Sequence, residues 1–427
     1  MRVATIRPGQ PSRRPLAQFA RALLSILAVL ILAACGTAAT ATVPAPVATT
    51  AASTAPTAAA GGASAAPSAT RAATSAATTA APSTTRTATT AAPAGTAARA
   101  SATATGTKAT LPRPAAGQCT SAAATKPVPS GRQRLVITTG GTGGVFFPYG
   151  GGLARILTSK LANTEVTAEV TGGSVDNMKL VQKGDSDLGL TTADSADEAQ
   201  KGVGVYKDTG AVPVCTIAVL YESFIHVVAL ADSGINTIAD MKGKRISVGS
   251  AGSSTEAAAD RILEAAGLNP KTDIQRDSLG VAESAGAMKD KKIAAFFWIG
   301  GLPTAAVTEL ATTGPALKFI STAEYVQPLA AKYGPVYYPL TLPKSVYQKM
   351  PEDVVGLGVD NLLTVNANMS EQQVYNILKT LFDNQADVQA IHPEAKKFTL
   401  ENAARVAPVP FHPGAIKYYT EKGVYKP

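Results

Sequence analysis

Residues 36–132 decide where folded structure can arise, because their own composition cannot support a core. They consist mostly of Ala, Thr, Ser, Pro and Gly, carry seven basic side chains and no acidic one, and offer few large apolar groups. Such a stretch recovers too little by leaving water to offset the entropy of ordering its backbone. It reads as a disordered tether with a root-mean-square reach of roughly 55 Å.

The tether also changes the meaning of the +9 net charge. Twelve of the 39 basic residues precede residue 133, which leaves 27 against all 30 acidic residues in the remainder. The part able to fold is therefore net negative, and the composition gives no basic patch for nucleic acid. The basic excess lies in the segments expected nearest a membrane, where anionic headgroups would attract it.

Residues 1–34 have the layout of an export signal: Arg2, Arg7, Arg13, Arg14 and Arg21 precede the apolar run Ala22–Leu32. The run is too short to span a bilayer comfortably. It ends in Leu32-Ala33-Ala34-Cys35, which resembles a bacterial lipoprotein signal with cleavage before Cys35 and lipidation of its thiol. The expectation is an extracytoplasmic protein whose segment 35–132 is a lipidated Cys followed by the tether. The remaining cysteines, Cys119 and Cys215, form a candidate disulfide outside the cytoplasm, with simple packing of Cys215 as the alternative.

From Arg134 onward apolar runs alternate with amphipathic segments and Gly or Pro breaks, the pattern of an α/β fold with parallel sheets. Strands are expected at Leu135–Thr139, Asp187–Thr192, Arg245–Gly249, Ile274–Asp277 and Ile293–Trp298. Helices are expected at Thr255–Ala266 and Val281–Lys291, with Ser174 as the N-cap of another that ends before Gly184. In a later helix Val374, Ile377, Leu378, Leu381 and Phe382 form an apolar stripe that belongs to the core.

Three Gly-rich turns sit between a strand and a helix: Gly140–Gly150, Thr171–Ser174 and Gly249–Glu256. Each leaves backbone N–H groups unpaired at the positive end of a helix, which favours an anionic group by roughly 0.3–1 kcal/mol per end and about 2 when partly buried. In open α/β sheets such turns lie beyond the carboxyl ends of the strands, so turns from two sheets would converge on one cleft.

The blocks Thr138-Thr139-Gly140-Gly141-Thr142-Gly143-Gly144-Val145-Phe146-Phe147-Pro148, Thr171-Gly172-Gly173-Ser174-Val175-Asp176-Asn177, Gly249-Ser250-Ala251-Gly252-Ser253-Ser254-Thr255-Glu256 and Phe411-His412-Pro413-Gly414-Ala415-Ile416-Lys417-Tyr418-Tyr419 closely resemble the TAXI family. These are solute receptors of tripartite ATP-independent periplasmic (TRAP) transporters, and the likeness covers about Arg134 to Tyr425. The resemblance implies a type II periplasmic-binding-protein-like α/β fold, two lobes with a ligand cleft between them, and a membrane partner, the TRAP transporter membrane subunit. It also implies a small organic anion as ligand, such as glutamate or 2-oxoglutarate. Residues 133–225 and 335–427 would form lobe 1 and residues 226–334 lobe 2.

Carried over by motif, ligand contacts would come from Gly144, Val145, Phe147, Ser174, Asn177, Thr191, Thr192, Ser250, Ser253, Ser254 and Thr255, with Trp298 walling the cleft. The family usually has a tyrosine pair at Phe146-Phe147 and a glycine at Ser254, so the ligand of this chain should be less polar or held differently. No Arg or Lys stands in the three turns; Arg245 and Arg276 are the nearest candidates by sequence.

His226 reads as a strand histidine, His412 as turn structure, and Asp194 as a cap of the helix after Thr192. Histidines at 226, 392 and 412 have no metal-ligand spacing, and no C-x-x-C pair or G-x-S-x-G elbow is present. The expectation is a monomeric binding protein without cofactor, metal or catalysis. A sensor component feeding a signalling kinase, or an enzyme on the same fold, stay as alternatives.

Overall fold

The computed structural model describes Gly117, Cys119, Thr120 and residues 131–425. The export signal, Cys35 and nearly all of the tether lie outside those residues. Strand β1 (Gln133–Thr138) leads through the first Gly-rich turn into α1 (Phe146–Lys160), followed by β2 (Thr164–Glu169), α2 (Ser174–Lys183), β3 (Leu188–Thr192) and α3 (Ala193–Lys201). β1 pairs in parallel with both β2 and β3, so the turns after these strands open on the same edge of the sheet.

Next comes β4 (Val214–Leu230), a single continuous strand. A second series follows: β5 (Arg245–Ser247), α4 (Ser254–Ala265), β6 (Gln275–Asp277), α5 (Val281–Lys289) and β7 (Ala295–Gly300). β5 pairs in parallel with β6 and β7. The chain continues through α6 (Ala305–Thr313), β8 (Leu317–Phe319), α7 (Val326–Tyr333) and β9 (Tyr338–Leu342) to the second long strand, β10 (Val354–Asn366). Helices α8 (Glu371–Asp383), α9 (Gln385–Gln389), α10 (Leu400–Ala403) and α11 (Pro413–Glu421) close the fold.

The two expected α/β lobes are present, and β4 and β10 join them. The strand order is β2-β1-β3-β10-β4-β7-β5-β6. The first half of β4 pairs with β10, and its second half, Phe224–Ala229, pairs with β7 of the other lobe. The 225/226 division therefore falls inside β4, at the crossover.

Residues beyond the expected 334/335 boundary still pack with the second α/β series. Leu342, Tyr347 and partly buried Val354 pack with Phe296, Val307 and Leu310 in the second lobe's core, so the chain returns to the first lobe only along β10. The reason lies in register: Val354–Gly358 are paired with β9, and only Asn361–Val365 reach β3. A register shift between Asp360 and Leu362 marks the crossing. Asp360 there accepts from Tyr338 Oη at 2.7 Å and from Arg405 Nη2 at 2.6 Å.

Local chemistry explains the helices that bound the cleft. Ser253 caps α4 by accepting from Glu256 N at 3.1 Å, while Glu256 reaches back to Gly252 N at 3.2 Å, a reciprocal capping arrangement. Ser174 is not the N-cap of α2. Gly173 holds that place at φ 128°, where a side chain would be strained, and frees the Ser174 hydroxyl for other partners. α2 ends at Gly184 in the left-handed region, as the sequence indicated. The α8 stripe is buried at Val374, Ile377, Leu378 and Leu381, and Phe382 stacks on Phe398. Cys119 and Cys215 are joined as a disulfide with Cα atoms 5.7 Å apart, fastening the end of the tether region to the start of β4.

Candidate functional site

The turns after β1, β2 and β5 meet across the gap between the lobes and enclose a cavity of about 630 Å³, counting the space at its mouth. From the first lobe it is lined by Gly140–Phe146, Gly172–Ser174 and Thr192. The second lobe supplies Ser250, Ser253–Thr255, Gly280–Glu283 and Trp298–Gly300, and the crossover supplies Tyr221 and Ser223.

Two seams hold the lobes together. In one, Ser174 Oγ donates to Ser254 Oγ at 3.1 Å and Asp176 N donates to Gly252 O at 3.1 Å. In the other, Gly143 and Gly144 pack against α5 and Trp298. A methyl group on Gly144 would lie 2.7 Å from Trp298 Cη2, and one on Gly143 would lie 2.9 Å from Ala282 Cβ. The missing side chains are what let the turn approach so closely.

Nine of the twelve expected contact residues line this cavity: Gly144, Val145, Ser174, Thr192, Ser250, Ser253, Ser254, Thr255 and Trp298. Their hydroxyls are not all free. Ser253 Oγ donates to Ser250 O at 2.6 Å, Thr255 Oγ1 accepts from Ile299 N at 3.1 Å, and Ser174 Oγ accepts from Thr192 N at 3.1 Å. These bonds fix the turns in place. The indole N–H of Trp298 donates to Thr304 Oγ1 at 2.9 Å, so the ring presents its carbon edge and face to the cavity.

Three expected contacts lie elsewhere. Phe147 gives way to Phe146, because successive helical residues point about 100° apart. Thr191 is excluded by strand alternation, which turns Thr192 to the cavity and its predecessor away. Asn177 is buried and fully used: Nδ2 donates to Thr139 O and Leu190 O at 2.6 Å each, and Oδ1 accepts from Thr171 Oγ1 at 2.6 Å. It ties the first two turns to β3.

Sequence reasoning missed Tyr221, Ser223 and the Gly280–Glu283 turn. Tyr221 and Ser223 sit inside an apolar strand with no turn signal, and the second turn became visible only through the packing of α5. Buried Asn361 holds this floor, with Nδ2 donating to Tyr221 O at 3.1 Å and to Ser223 Oγ at 2.7 Å. Tyr221 stacks on Tyr149, and burial raises both phenol pKa values above the ordinary range.

Glu283 is the single charged residue among those lining the cavity. Arg245 and Arg276 do not reach it: Arg245 is bonded to Asp277, and Arg276 to Asp260 and Glu256. Asp194 is not a helix cap; Thr192 holds the N-cap position of α3. The Asp194 carboxylate instead pairs with Arg261 of α4 at 3.1 Å and accepts from Tyr337 Oη at 2.6 Å.

His226 is buried between Trp298 O and Tyr347 Oη, and His412 caps α11 by accepting from Gly414 N. No group of three or more His, Cys, Asp or Glu residues able to hold a metal occurs among the described residues.

Among solved structures, the chain is similar to the periplasmic aliphatic sulphonate binding protein of Escherichia coli. The identity is 15%, with 69% of this chain and 80% of that one covered and a TM-score of 0.37. It is also similar to a putative L-cystine ABC transporter of Listeria monocytogenes, at 13% identity over 62% of this chain and 95% of that one, with a TM-score of 0.38. Residues 137–423 match the NMT1-like family. That span takes in both lobes and every residue lining the cavity, and the chain belongs to the NMT1-like family.

Proposed function

We propose that this chain is an extracytoplasmic solute-binding protein that takes up a small organic carboxylate between its lobes and delivers it to the membrane subunit of a TRAP transporter. The observation that carries this reading is the convergence of three Gly-rich turns, drawn from both lobes, on one cavity. A cavity built this way binds best when the lobes are together, so ligand shifts the population toward the closed form. The two connecting strands, crossing at Tyr221–Phe224 and Gly358–Asn361, are where the backbone would flex.

The TRAP partner rests on the TAXI-like blocks in the turns and around His412. Anchoring rests on the Leu32–Cys35 motif, and Cys35→Ala would release the chain from the membrane fraction if the thiol carries lipid. The decisive test is a thermal-shift screen of the full chain against organic acids and amino acids, followed by small-angle scattering with the best stabiliser. Compaction at saturation is the expected result. An unchanged radius, or no stabilising solute, contradicts the proposal.

A further inference from the structure

Resting on that reading of the cavity, we infer that the solute carries one carboxylate only, with no second negative charge. Four helix N-termini face the cavity, those of α1, α2, α4 and α5. Three already hold a carboxylate in their own first turn: Asp176 in α2, Glu256 in α4 and Glu283 in α5. Asp176 accepts from Gly172 N at 3.2 Å and Glu256 accepts from Gly252 N at 3.2 Å, so part of each positive end is satisfied internally. Only α1 has no acidic residue in its first turn and no side-chain cap at Val145. That leaves one helix end with an uncompensated partial positive charge for a ligand.

No lysine or arginine lines the cavity to receive a second negative charge, and its one charged residue, Glu283, would repel one. A second carboxylate would meet the apolar walls of Phe146, Val281, Trp298 and Ile299 or neutral hydroxyls such as those of Ser250 and Ser254, with no cation beside them. Desolvating a charge against such walls without a counter-charge is unfavourable. An uncharged hydrogen-bonding or apolar group meets no such cost.

The test uses isothermal titration of the full chain with three matched sets, each holding a dicarboxylate, its distal amide and an apolar isostere: glutamate, glutamine and leucine; 2-oxoglutarate, its distal amide and 4-methyl-2-oxopentanoate; glutarate, its monoamide and hexanoate. The amide or apolar member should bind at least tenfold more tightly than its dicarboxylate. Glu283→Gln should narrow that gap by strengthening dicarboxylate binding, an effect a merely structural Glu283 would not produce. Tighter binding of the dicarboxylates by the native chain would overturn the inference while leaving the solute-binding reading intact. If no set binds and no acid in the wider screen stabilises the chain, the solute-binding reading fails and the inference with it.

Discussion

Ser174 in the first lobe and Ser254 in the second share a hydrogen bond of 3.1 Å, a direct polar contact between the lobes beside the cavity. The two positions differ in what else depends on them. Ser174 Oγ is also the acceptor for buried Thr192 N, whereas Ser254 Oγ shows no further bond. Ser254→Ala should therefore weaken ligand affinity by about 2- to 10-fold, the equivalent of about 0.5–1.5 kcal/mol, with an unchanged melting temperature. Ser174→Ala leaves the Thr192 amide unsatisfied and should also lower stability by about 1–3 kcal/mol. Titration and thermal melts of both variants separate the two effects, and equal loss of stability in both would contradict the assignment.

Gly144 gives a steric test of lobe approach. A methyl group there would sit 2.7 Å from Trp298 Cη2, yet the backbone of Gly144 needs no left-handed conformation. Gly144→Ala should leave the separate lobes folded and hinder their closure. The expected outcome is at least a tenfold loss of affinity with a melting temperature within a few degrees of the native chain.

Arg261 joins the lobes away from the cavity. Its guanidinium bonds Asp194 at 3.1 Å and Glu198 at 2.6 Å, lies over the Tyr333 ring at 4.4 Å, and is only 8% exposed. Arg261→Ala would strand Asp194 and Glu198 in a buried site, and should cost about 3–5 kcal/mol of stability in denaturant unfolding. A loss below about 1 kcal/mol would show that the network is not needed to hold the fold.

Two buried histidines set the acid response. Burial lowers His226 and His412 to about 4, below the ordinary value of about 6.5. The unfolded chain binds protons at these sites first, so stability is lost as pH falls from about 6.5 towards 4, on the order of 3 kcal/mol from each. Asp176, Asp187, Glu198 and Asp260 are raised chiefly by burial and act in the opposite sense, since each binds its proton more readily when folded. Denaturant midpoints should fall between pH 7 and pH 5, and His226→Gln should flatten that fall. A flat profile in the native chain would contradict the assignment.

The fold was largely legible because its determinants are local. Gly140–Gly150, Thr171–Ser174 and Gly249–Glu256 announce strand-to-helix turns through residue type and spacing alone. What could not be read depended on phase and on partners distant in sequence. Phe146 rather than Phe147 faces the cavity because of where α1 starts its first turn, and Asn177 is spent on Thr139 and Leu190. Tyr221 and Ser223 reach the cavity floor only because β4 continues unbroken from one lobe into the other. Asp194 looked like a cap because its partner Arg261 lies 67 residues on, in the opposite lobe.

Trp298 is the chain's single tryptophan and forms a wall of the cavity, so its emission reports on the space the solute would fill. Fluorescence titration with a solute that stabilises the chain should give a saturable shift in emission, with the same dissociation constant as calorimetry. A solute that binds tightly by calorimetry yet leaves Trp298 emission unchanged at saturation would place binding elsewhere and contradict the account of a clasped ligand.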